Sequence, residues 1–150
     1  MSVPIKTIQK INSIKKMLVR QTEWEYSEVK RSLFQAEELL AGLEQELQDA
    51  LDRFRDKQQE GLTPVELLDW TGWIDTQRMK IRSQVMQCRE LEMQAEATRL
   101  RLVERQREEE TWNNLKEKRL AALNYELQKQ EQVELDEIGM QMRRYRGIGR

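Results

Sequence analysis

Apolar and polar positions recur with helical spacing along most of this chain, most strictly in the first half. Tyr26, Val29, Leu33, Ala36, Leu40, Leu43, Leu47, Ala50 and Phe54 alternate steps of three and four. Such a row is a heptad seam, because it keeps one apolar face turned towards a partner helix. Gly42 falls off the seam and only lowers helix propensity locally. Upstream the pattern changes. Pro4 can open a helix, and Ile5, Ile8, Ile11, Ile14 and Leu18 follow it. Steps of three drift by about 60° around a helix of 3.6 residues per turn. This stretch therefore predicts a wide, winding apolar surface, with Lys6, Lys10, Lys15, Lys16 and Arg20 set between. It could touch a partner protein, pack on a second helix, or lie on a membrane surface, which wants a clean apolar face opposite a basic one.

The strict seam ends at a turn. In Glu60-Gly61-Leu62-Thr63-Pro64-Val65-Glu66, Gly61 suits the left-handed residue that closes a helix. Thr63 is a good N-cap, Pro64 falls at the first helical position, and Glu66 completes a capping box with Thr63. Leu62 and Leu67 occupy the positions of a hydrophobic staple. Beyond it the helical pattern restarts with Leu67, Trp70, Ile74, Gln77 and Ile81, and Val85, Cys88, Leu91, Ala95 and Leu102 extend it loosely. It nearly vanishes from Val103 to Thr111 and resumes at Trp112 and Leu115. Leu120, Leu123, Leu127, Leu135, Ile138, Met142 and Tyr145 follow, before Gly147 and Gly149 suggest a frayed tail.

These elements predict an all-α fold: a single antiparallel two-helix coiled-coil hairpin. The expected bounds are about 5–60 for the first helix, 61–63 for the turn and about 64–145 for the second helix. At 1.5 Å per residue the first helix is ~80 Å long and the second ~120 Å. Folded back at Gly61, Ile5 faces the neighbourhood of Arg119, and Lys15 and Lys16 come near Glu108, Glu109 and Glu110. Beyond Arg119 the second helix has no partner within the chain, and its apolar residues there imply another protein. Trp24 and Trp112 lie in the body of the hairpin and are expected to pack. Trp70 and Trp73 flank Gly72 near the turn and suit either packing or contact with a partner.

Composition narrows the function classes. Charged residues make up 35% of the chain and aromatics 6%, as expected of a long helix or coiled coil with no enclosed core. A net charge of -1, with bases and acids interleaved except near the termini, argues against a nucleic-acid partner. No apolar run approaches the ~18 residues of a membrane-spanning helix. Met1 to Gln21 lacks the apolar core of a signal peptide. The single Cys88 cannot form an intramolecular disulfide, which suits a reducing cytosol. There is no His, no Gly-rich phosphate loop and no paired Cys for a metal. The carboxylates are expected on solvated faces without a pocket to shift them. No catalytic residue, metal or cofactor is expected.

The length, the hairpin and the C-terminal segment Glu131-Gln132-Val133-Glu134-Leu135-Asp136-Glu137-Ile138 resemble FliJ, the flagellar export stalk family, and its YscO-like injectisome counterparts. The resemblance covers nearly the whole chain and implies a non-catalytic cytoplasmic protein, peripheral to a membrane-bound export apparatus. It implies docking into the hexameric export ATPase, coupling to the membrane export gate, and association with chaperones of exported subunits. By position, the paired termini match the ATPase-facing end. The candidates there are Ile5, Lys6, Ile8 and Lys10 with Leu135, Ile138, Met142, Arg143, Arg144 and Arg146. Trp70 and Trp73 match the gate-facing region next to the hinge residues Gly61, Thr63, Pro64 and Glu66, whereas Glu46 and Ala50 depart from the family pattern there. No acid precedes Glu23 and none follows Glu137, so both termini are basic beside apolar residues. A structural coiled-coil scaffold that oligomerises through its C-terminal overhang is the other function these features allow.

Overall fold

The computed structural model describes residues 3–148 and contains two α-helices, α1 over Ile5–Glu60 and α2 over Pro64–Ile148. The Pro4 carbonyl accepts bonds from the amides of Thr7 and Ile8, which places Pro4 at the cap of α1. At the other end of α1, Gly61 adopts φ 101° and its amide bonds the Lys57 carbonyl at 3.0 Å. That is the αL cap, and a residue with a Cβ would be strained there. Thr63 begins α2: its carbonyl accepts from Leu67, its Oγ1 accepts from the Glu66 amide at 3.2 Å, and the Glu66 carboxylate accepts from the Thr63 amide at 3.4 Å. Two amides left without helical partners are thereby satisfied. At its far end α2 runs through Gly147, so the tail expected to fray there is helical; Gly149 lies outside the described residues.

The chain divides into two compact units, each built from a stretch of both helices. Arg20–Glu104 form one, and Met1–Val19 with Arg105–Arg150 form the other. In the hinge-bearing unit, Thr22, Leu33, Ala36 and Ala50 of α1 and Ile74, Gln77, Cys88, Ala95 and Thr98 of α2 are buried. Steps of three and four run through the whole α2 set once the half-buried Ile81, Gln84 and Leu91 are included. The seam residue is therefore Gln84, whose Nε2 donates to the Ala36 carbonyl at 3.0 Å; Val85 lies beside it. Gln77 does the same one heptad earlier, donating to the Leu43 carbonyl and to Glu46. Each glutamine covers a seam position with its stem while its amide finds an acceptor, so neither leaves a buried polar group unmade.

In the other unit the spacing of the α1 isoleucines misleads. The buried residues are Ile8, Asn12 and Val19, with Ile5, Ile11, Lys15, Lys16 and Leu18 half-buried; of the expected row only Ile14 is exposed. The strict heptad row thus continues upstream of Tyr26 through Thr22, Val19, Lys15, Asn12, Ile8 and Ile5. Its polar members hide it from a hydrophobic pattern. On α2 a row of half-buried residues runs through Arg105, Glu109, Trp112, Lys116 and Arg119, with Glu108 and Asn113 half-buried beside it, while Leu115 is exposed. Lys15 pairs with Glu108 at 2.9 Å, which is the antiparallel pairing expected from the charges. In the hinge-bearing unit Arg101 pairs with Glu25 at 3.0 Å. Partly exposed pairs contribute about 0.2–1 kcal/mol each, against about 1.5–3 kcal/mol for a fully buried aliphatic side chain. The seam therefore holds the helices together, and the ion pairs choose the pairing.

Candidate functional surfaces

Among the described residues, no helix covers α2 past Arg119. From Leu120 to Gly147 only Gly139 is less than exposed, and Leu123, Leu127, Val133, Leu135, Ile138, Met140, Met142 and Tyr145 all stand open to solvent. Ile138, Gln141, Met142, Tyr145 and Arg146 share one face and line a shallow concavity. Their spacing of three and four puts them on consecutive turns. Of the terminal residues singled out by sequence, Lys6, Lys10, Leu135, Ile138, Met142, Arg143, Arg144 and Arg146 are exposed, and Ile5 is half-buried. Ile8 is 2% exposed and packs inside its unit, so its side chain offers no free surface. Gln141 and Tyr145 belong with the exposed terminal group. Sequence reading left them out of it, although Tyr145 continues the step from Ile138 and Met142.

Next to the turn, the rings of Trp70 on α2 and Phe54 on α1 lie 5.7 Å apart at 36°. Trp70 is half-buried and Trp73 is exposed. Together with Glu46, Asp49, Ala50, Arg53 and Asp69 they line an open groove of about 500 Å³. Three carboxylates and one guanidinium make this groove acidic around an aromatic wall. Its walls come from both helices, and only the antiparallel pairing brings Glu46 and Asp49 to Trp73. The other two tryptophans divide. Trp112 is half-buried on the seam of its unit, whereas Trp24 is 65% exposed and does not pack as expected. Trp24 points outward because it lies two positions past the buried Thr22, on the side away from α2.

Among the described residues, no three His, Cys, Asp or Glu side chains cluster to hold a metal ion. No described helix is long and apolar enough to cross a membrane. Burial raises the Cys88 thiol above its ordinary range, and the Glu37 and Glu92 charges add to the effect. The thiol is thus held protonated within the seam. Glu96 is lowered by its two hydrogen bonds from Arg99, at 2.7 and 2.9 Å.

Two packed antiparallel helices, one running past the end of the other, define a coiled-coil hairpin. A family model described as the flagellar FliJ protein matches residues 5–147. The chain belongs to the FliJ family, and membership gives it a role in flagellar type III protein export. No curated protein and no solved structure matches it.

Proposed function

We infer that this chain is a non-catalytic stalk and adaptor, docking by its C-terminal helix into the hexameric export ATPase and linking it to the export gate and to export chaperones. One observation carries the reading. A stretch of α2 more than six turns long keeps its Leu, Ile, Met and Tyr side chains in water, with Arg143, Arg144 and Arg146 at its end. Apolar residues on an uncovered helix call for a partner, and the free cations favour an acidic lining in that partner. Ile5, Lys6 and Lys10 belong to the same unit, but with Lys15 paired to Glu108 they lie near Arg119, roughly 24 Å along α2 from Leu135, and form the near edge of this surface; Ile8 supports it from within. At the other surface, the acidic groove around Trp70 and Trp73 suits a gate segment that presents a basic side chain beside an apolar one. The protein works beside the membrane in this reading, on the cytoplasmic side of the export apparatus, without inserting into it.

Removing residues 135–150 tests the ATPase contact. The shortened chain is expected to keep its helicity by circular dichroism and to lose binding to the purified hexameric ATPase in a pull-down. Retained binding would overturn the assignment. A chain that forms stable dimers at micromolar concentration, and loses them on the same truncation, would identify the overhang as the seam of a scaffold.

A further inference from the structure

In the hinge-bearing unit, α2 carries on its outer side a row that hairpin packing does not use. Met79, Met86, Met93 and Leu100 follow one another at seven-residue spacing, and they are 67%, 69%, 74% and 55% exposed. Seven residues are close to two helical turns, so the row stays on one side of α2. It lies two positions past Gln77, Gln84, Leu91 and Thr98, where a hairpin ordinarily shows polar residues to solvent. Three of the seven methionines of the chain fall in this row. Scattered exposed apolar residues need no explanation, but a row in heptad register does.

Over its first half the charges along it are basic. From Thr76 to Arg89 the only charged residues are Arg78, Lys80, Arg82 and Arg89. Arg82 and Arg89 lie three residues after Met79 and Met86, on the same face. Neither takes part in any of the ion pairs among the described residues. Glu96, which follows Met93 by the same step, is engaged by Arg99.

We propose that this row is a docking face for an acidic amphipathic α-helix of another protein, laid along α2 with its apolar seam on Met79, Met86, Met93 and Leu100 and its carboxylates on Arg82 and Arg89. A seven-residue apolar repeat matches a second helix and not a strand, whose side chains repeat every two residues. Methionine is unbranched and adapts to the side chains of more than one partner sequence. A second copy is a poor occupant. In parallel, it would set the cations of one row against those of the other; antiparallel, Arg82 would face Glu96, which Arg99 already engages, and seating the overhang of one copy on the row of the next would make an open, non-closing assembly. An anionic membrane is also a poor occupant. The row is one residue wide and bordered by Asp75, Glu90 and Glu96, whereas an interfacial helix needs a broad apolar face. The proposal involves none of residues 120–150, so it stands or falls apart from the ATPase contact.

The test uses the full chain and a synthetic four-heptad helix with Leu at its seam positions and Glu at the flanking positions, followed by fluorescence anisotropy. The Glu helix is expected to bind, and a version with Lys in place of Glu is expected not to. The M79Q/M86Q/M93Q variant is expected to bind the Glu helix at least about tenfold more weakly, given the apolar area removed, with unchanged circular dichroism. The R82E/R89E variant is expected to prefer the Lys helix. Failure of the Glu helix to bind, or equal binding by the glutamine variant, would overturn the proposal. So would methionine-dependent binding to phosphatidylserine vesicles without peptide binding, or a dimer in sedimentation that the glutamine variant abolishes.

Discussion

Gly61 and Thr63 show how much a single residue can decide. A positive φ at Gly61 closes α1, and two residues later one hydroxyl and one carboxylate exchange hydrogen bonds to open α2. Thr63→Ala removes the acceptor for the Glu66 amide and is expected to cost about 0.5–2 kcal/mol, read as a lower urea midpoint. An unchanged midpoint would mean that the cap contributes nothing to stability. Cys88 is decided by its surroundings instead. Burial first, then the charges of Glu37 and Glu92, hold its thiol protonated above the ordinary range of about 8.5. The thiolate is the species that reacts with alkylating and disulfide reagents. Native protein is therefore expected to label slowly at pH 8, with a rate that keeps rising at pH values where a free thiol has already levelled off. Denatured protein should label at the free-thiol rate. Fast labelling of the native chain would contradict the burial of this side chain.

At the scale of the helix, the seam of the unit that contains the termini is mostly polar on the α2 side, and Asn12 is buried on the α1 side with its Oδ1 meeting no donor. A buried polar residue at a seam position lowers stability while disfavouring other pairings. Asn12→Leu is expected to raise the unfolding free energy by about 1–3 kcal/mol, since an unmet acceptor is removed and apolar area is gained. Urea denaturation checks this, and a drop in stability would show that the amide is satisfied in solution. The same polarity explains what the hydrophobic pattern could and could not show. Tyr26 to Phe54 stands out because almost every seam position there is apolar. Ile5 to Thr22 misleads because Asn12, Lys15 and Thr22 occupy seam positions while Ile11 and Ile14 sit beside the seam. On α2, Gln84 and Thr98 hide in the same way, and Val85 draws the eye one position off.

Across the molecule, the unequal helix lengths leave a stretch of α2 uncovered, and the family places the chain in flagellar export. If Arg143 and Arg144 steer it into an acidic opening of the ATPase, R143E/R144E is expected to slow association by roughly tenfold at low salt and to flatten its salt dependence. Stopped-flow association at several ionic strengths measures both, and an unaffected rate would remove these arginines from the encounter. The sequence by itself determined the turn, the two long helices, their antiparallel pairing and the overhang. Helix caps act within a few residues, and helix length follows from counting. Only the tertiary structure decided which face each side chain takes. It buried Ile8, turned Trp24 outward, joined Glu46 and Asp49 to the tryptophans across the seam, and left Met79, Met86 and Met93 in the open. A side chain's exposure depends on what the other helix places opposite it, and a polar residue whose stem fills the seam reads in one dimension like a residue in water.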